Sequence, residues 1–192
     1  MAPWFFGYLG AAGGAGAGAF DLLETTELTS AASSITFSGL SSYSDYKHLQ
    51  IRIIARGDSN FHSEDLALRV NGNTWSPQYS HRLFAQDSSQ SSSSYTGTYY
   101  KVGFTVGAAG GNTNQLAPSI IDILNWNAYQ NHTIRSLSGA VALNATYENK
   151  IGINSALQTG QYDRESISSL TFFNSGGGSL DSKTRISIYG VK

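Results

Sequence analysis

From residue 24 onward the apolar residues recur with period two, the spacing of a strand with one buried face, and not with the 3.6 of a helix. His48 to Arg56 shows it most cleanly. Leu49, Ile51, Ile53 and Ala55 point one way; His48, Gln50, Arg52 and Arg56 point the other, with Ile54 among them. Leu66, Leu68 and Val70 alternate with Ala67 and Arg69, and Ile186, Ile188 and Gly190 with Ser187, Tyr189 and Val191. Further strand-like runs cover 25–29, 34–39, 79–85, 98–106, 117–125, 133–143, 149–157 and 167–174. Turn-forming residues separate them: Gly57-Asp58-Ser59-Asn60, Asn71-Gly72-Asn73, Gly107 to Asn114 and Ser175-Gly176-Gly177-Gly178. Short runs so spaced predict an all-β fold, an antiparallel sandwich or barrel. The expected core is Leu49, Ile51, Ile53, Leu66, Leu68, Val70, Ile121, Ile123, Ile151, Ile153, Leu170, Ile186 and Ile188. The best helix candidate is 120–130, but Asn125 and Asn127 argue for a strand running into a loop. Ser88 to Ser94, with six serines in seven residues, is expected to be a loop interrupting two strands.

Half-buried strands also explain the composition. Charged residues make up 13% of the chain, roughly half the ~25% of an average soluble protein. Ser, Thr, Asn and Gln clothe the solvent faces instead. With 12 Lys and Arg against 13 Asp and Glu, the chain lacks the cationic surplus that phosphate backbones require, which argues against a nucleic-acid partner. The absence of cysteine excludes disulfides, zinc–thiolate sites, iron–sulfur clusters and cysteine nucleophiles.

Residues 1–20 form a separate region with no side chain charged at neutral pH. An aromatic head (Trp4, Phe5, Phe6, Tyr8, Leu9) precedes a Gly/Ala run from Gly10 to Ala19. A secretory signal would need a basic start, and the first cationic residue is Lys47. A membrane span would need about 20 strongly apolar residues, and this stretch is diluted with glycine. Packing on the chain's own domain is a further possibility. The composition favours an anchor peptide: the aromatics bury in a partner, and the Gly/Ala run passes as a slim connector between chains. The expected organisation is an anchor over 1–23 and a sandwich domain over 24–192.

No catalytic motif emerges. His48, His62, His81 and His132 lack metal-ligand spacing, and HExxH, GxSxG and P-loop patterns are absent. No cofactor, metal or catalytic residue is therefore expected, and the chain reads as a non-enzyme. Asp58, Glu64 and Asp65 fall in an acidic stretch, GDSNFHSED. It reads as a solvated loop, with Ca²⁺ binding through its oxygens as the alternative. Asp122, between Ile121 and Ile123, is expected on a solvent face, opposed by an Arg such as Arg135. Trp75, Tyr79, Tyr95, Trp126 and Tyr129, with Tyr99 and Tyr100, fall in or beside expected loops. Such rings could stack on the apolar faces of a host-surface glycan, or they could cover subunit contacts.

Four blocks of the chain, covering most of it, resemble small virion proteins of tailed bacteriophages, especially those of marine and cyanobacterial hosts. They are WFFGYLGAAGGAGAGAFDLLETTEL, SSITFSGLSSYSDYKHLQIRIIARGD, LRVNGNTWSPQYSHRLFAQD and SLTFFNSGGGSLDSKTRISIYGVK. The resemblance implies a jelly-roll-like sandwich at the virion surface, with an N-terminal peptide plugged into the particle. It implies a structural protein, a short fibre or tail appendage that meets the host, or else a capsid decoration protein. A carbohydrate-binding adhesin is the reading from a different class. Ring-closing symmetry suits a surface knob, so a homotrimer is expected.

Overall fold

A computed structural model describes residues 19–74, 77–86, 89–107, 115–141, 150–157 and 164–192. These form twelve strands: β1 (Phe20–Glu27), β2 (Ser34–Ser38), β3 (His48–Ala55), β4 (Ser63–Val70), β5 (Gln78–Gln86), β6 (Ser89–Gly97), β7 (Tyr100–Val106), β8 (Ala117–Ile123), β9 (Thr133–Ala140), β10 (Lys150–Leu157), β11 (Ser169–Asn174) and β12 (Arg185–Val191). All pairings between them are antiparallel. An eight-stranded sheet runs β1-β12-β3-β8-β9-β10-β5-β6, and a four-stranded sheet runs β2-β11-β4-β7.

Setting β5, β6, β9 and β10 aside leaves β1-β12-β3-β8 facing β2-β11-β4-β7. That is the double Greek-key order of an eight-stranded jelly roll. The four remaining strands are two insertions, β5–β6 between β4 and β7, and β9–β10 between β8 and β11. Both join the β8 edge of the large sheet and extend it.

The main core lies between the two four-stranded halves. Ile51, Ile121, Ile186 and Ile188 from the large sheet meet Phe37, Leu66, Leu68, Leu170 and Phe172 from the small one. Phe37 and Phe172 pack edge to face, their centroids 6.3 Å apart. The expected core residues of β3, β4, β8, β11 and β12 are all buried. Directly after β4, Asn71 and Gly72 take φ of 50° and 66°, and Asn73 N–H donates to the Val70 carbonyl at 2.9 Å. This is the positive-φ tight turn that Asn-Gly favours.

Three expectations need correction. Ile151 and Ile153 are not core; they are 65% and 59% exposed. The strand is where the pattern put it, but its faces are reversed. In this half of the large sheet, β7 lies against β8, β9 and β10, and Gly103 and the Phe104 ring leave room only for small side chains at the positions opposite them. A Cβ on Gly103 would stand 2.5 Å from the Ser119 hydroxyl oxygen, and one on Gly152 would stand 2.9 Å from the Phe104 ring. The inner positions are therefore Ser119, Ser136, Ser138, Gly152, Asn154 and Ala156, and the isoleucines turn outward. Second, the serine-rich stretch is not a loop. Ser89–Gly97 forms β6 and pairs with β5 along its whole length. The neighbouring strand templates it, overriding the indifferent propensity of serine. Third, the domain boundary expected after residue 23 falls inside β1, which pairs with β12 from Phe20 onward.

Candidate interaction surface

The two insertions leave the outer face of the extended sheet with a band of aliphatic side chains. Register places Ile120 of β8 opposite Leu137 of β9, Leu137 opposite Ile153 of β10, and Ile153 opposite Leu83 of β5. The next row holds Gly139, Ile151 and Ala85. Leu83, Ile120, Leu137, Ile151 and Ile153 are all exposed. They form a contiguous patch, not the scattered single residues common on protein surfaces. A groove of about 570 Å³ opens over Leu83, Ala85, Ile151 and Ile153, rimmed by Gln90 and Ser92. On the far side of the band the register runs Gln50, Asp122, Arg135, Ser155, His81 and Ser94. An apolar centre bounded by a polar row is the anatomy of a protein–protein contact.

The inner side of the extension is fixed by charge. Asp65 of β4 accepts from Lys101 Nζ of β7 at 2.8 Å and from Arg82 of β5, which ties the small sheet to the insertion. Burial pushes the Asp65 carboxyl up, but Arg82 and Lys101 outweigh it and hold the group below the usual carboxylate range. The Arg82 guanidinium also lies over the rings of Phe84 and Phe104, at 5.0 and 5.1 Å.

The residues singled out in the sequence are not brought together. Trp4, Phe5, Phe6, Tyr8, Leu9 and Trp75 lie outside the described residues. Tyr79 is exposed on the outer face, where it is the register partner of Leu157. Tyr95 pairs with inward-facing Ser80 and so lies on the other face of the same hairpin. Its ring stacks on Tyr99 at 4.9 Å, with Lys101 Nζ 4.6 Å from its centroid. Burial and the hydrogen bond with Tyr99 push the Tyr95 phenol above its ordinary value. Tyr129 is 80% exposed in the turn between β8 and β9. Trp126, from the same turn, is no surface aromatic. It is fully buried in the main core, its indole N–H donating to the Tyr46 carbonyl at 2.9 Å. Neither a glycan nor a neighbouring subunit can reach it. Tyr100, at the start of β7, is buried as well.

The acidic stretch is not one loop. Glu64 and Asp65 belong to β4, and its carboxylates diverge to separate partners. Asp58 accepts from the Ser179 backbone N–H at 2.6 Å, and Glu64 accepts from the Asn174 side chain. Glycines at 176 and 178 make room for those carboxylates, since a Cβ on either would overlap them. Among the described residues no group of three or more His, Asp or Glu is placed to hold a metal ion. Asp122 is the register partner of Arg135 and accepts from Gln50 Nε2 at 3.1 Å. Among the described residues no helix is long and apolar enough to cross a membrane.

Sequence reasoning did not find the aliphatic band. The available signal was glycine inside two strands, Gly103 and Gly152, where a Cβ would meet the Ser119 and Phe104 side chains. Comparison with protein-family models, with curated proteins and with solved structures gives no match in any of the three.

Proposed function

We propose that this chain is a non-enzymatic structural module of a tailed-phage particle, a surface sandwich held in its assembly by the outer face of the extension and by its N-terminal peptide. The observation that carries the reading is the aliphatic row Ile120–Leu137–Ile153–Leu83, which a free chain leaves in water. Covering such area is favourable by about 25 cal/mol per Å², and a subunit in a crowded assembly gains that term where a solitary one does not. The phage assignment is supported by the resemblance of the four sequence blocks. The non-enzymatic assignment is supported by the carboxylates, since Asp58, Glu64, Asp65, Asp122 and Asp181 each serve a structural hydrogen bond. Within the particle the module is a homotrimer acting as a short fibre or tail appendage, with capsid decoration as the competing position.

The test is the double variant Leu137→Asp/Ile153→Asp in phage carrying this gene. Both positions face solvent, so the variant should fold and melt like the parent chain. Purified particles should lack it. Incorporation at the parental level would overturn the reading, and release of sugar from host polysaccharide by the parent chain would overturn its non-enzymatic part.

A further inference from the structure

We infer that the outer face of the large sheet carries a small cleft for one ring of a neutral sugar, built on His48, Asp122 and Arg135 with Phe20 as its apolar wall. The inference does not depend on the aliphatic band being an assembly surface.

The cleft has a volume of about 190 Å³, and its walls include Phe20, His48, Asp122, Leu124, Arg135 and Val191. That is below the ~300–1,000 Å³ of sites for drug-sized ligands, and it suits a single ring. It begins at the polar row of Gln50, Asp122 and Arg135 and opens away from the aliphatic band, toward His48 and Leu124. A neighbour seated on the band therefore leaves it at the margin of the contact.

The polar groups of the cleft are fixed by their protein partners. His48 Nδ1 accepts from the Asn125 backbone N–H at 3.1 Å, which puts the ring proton on Nε2 and makes that atom a donor. Asn125 presents its N–H from the turn after β8 with φ of 49°, a conformation Asn adopts more readily than most residues. Gln50 is held from both sides. Its Oε1 accepts from Arg52 Nε at 3.0 Å, and its Nε2 donates to Asp122 Oδ1 at 3.1 Å. One carboxylate oxygen of Asp122 is thus occupied and Oδ2 is left as an acceptor. Arg135 is the exposed register partner of Asp122, and among the described residues the two form no ion pair. Its guanidinium is the second donor.

This set of donors and acceptor selects the ligand. The charges of Asp122 and Arg135 offset each other, so a lone anion meets the carboxylate and a lone cation meets the guanidinium. A neutral ligand meets neither penalty. Each hydroxyl donates one hydrogen bond and accepts others. A vicinal pair therefore donates to Asp122 Oδ2 and accepts from Arg135 and from His48 Nε2–H. Phe20, 44% exposed, stands with Leu124 and Val191 where the apolar C–H face of a pyranose would lie. The Arg52 guanidinium, 5.4 Å from the Phe20 centroid, braces that ring.

Saturation-transfer NMR on the full chain tests this with the methyl glycosides of glucose, galactose, mannose and N-acetylglucosamine. Glucuronic acid and leucine serve as the anionic and zwitterionic alternatives. At least one neutral glycoside should bind. Its affinity should fall about tenfold or more in Asp122→Asn, which keeps an acceptor for Gln50, and equally in Arg135→Gln. It should be unchanged in Leu137→Asp/Ile153→Asp, so failure of the cleft and failure of the band are read separately. Binding of no neutral glycoside, preference for glucuronic acid or leucine, or a smaller loss in either cleft variant would overturn the inference. So would loss of binding in the band variant, which would put the sugar on the band instead.

Discussion

Asp65 sits between two cations, Arg82 and Lys101, and its folded pKa is lowered. The unfolded carboxyl titrates near its ordinary value of about 4. Because the folded value is lower, the stabilisation is complete above about pH 4 and is lost as pH falls through the folded value. Chemical denaturation at a series of pH values should therefore show a steep acid limb that Asp65→Asn flattens. At pH 7 the same substitution should cost about 1–3 kcal/mol, since it leaves Arg82 and Lys101 facing each other without their counter-ion. The sequence did not disclose this pair: Asp65 reads as one acid among several in GDSNFHSED, and Arg82 and Lys101 are distant in the chain. Asn71-Gly72 was legible because its conformational demand is local, and Trp126 was not, because a position in a turn says nothing about depth.

At the scale of the strand, period and phase are separate pieces of information. The alternation of β3, β4 and β12 fixes both, because their large apolar residues face an ordinary inter-sheet core. In β10 the same alternation fixes only the period. The small sheet approaches so closely at Gly103 and Gly152 that the apolar side of the strand is the outer one. Urea denaturation separates the two assignments. Ile51→Ala should cost about 2–5 kcal/mol as a buried truncation, and Ile153→Ala no more than about 0.5 kcal/mol as a surface one. Gly103→Val should cost at least about 1–3 kcal/mol, because the added carbons overlap Ser119. A cost at Ile153 equal to that at Ile51 would contradict the observed phase. β6 is the opposite case: serine supplies no period at all, and the strand exists because β5 provides a partner.

For the whole molecule, the informative feature is that two insertions far apart in sequence, β5–β6 and β9–β10, join the same edge of a jelly roll. The all-β architecture was legible from spacing. The extension was not, since it depends on which strands become neighbours. The aliphatic band exists only once β8, β9, β10 and β5 stand side by side, so no local window of sequence contains it. The central proposal is that this band is covered in the assembled particle. Maleimide labelling of single-cysteine chains in intact particles tests it most directly. Ile153→Cys should be protected in particles and labelled once they are dissociated in denaturant, while Thr36→Cys should label in both. Labelling of Ile153→Cys in intact particles at the rate of Thr36→Cys would contradict the claim.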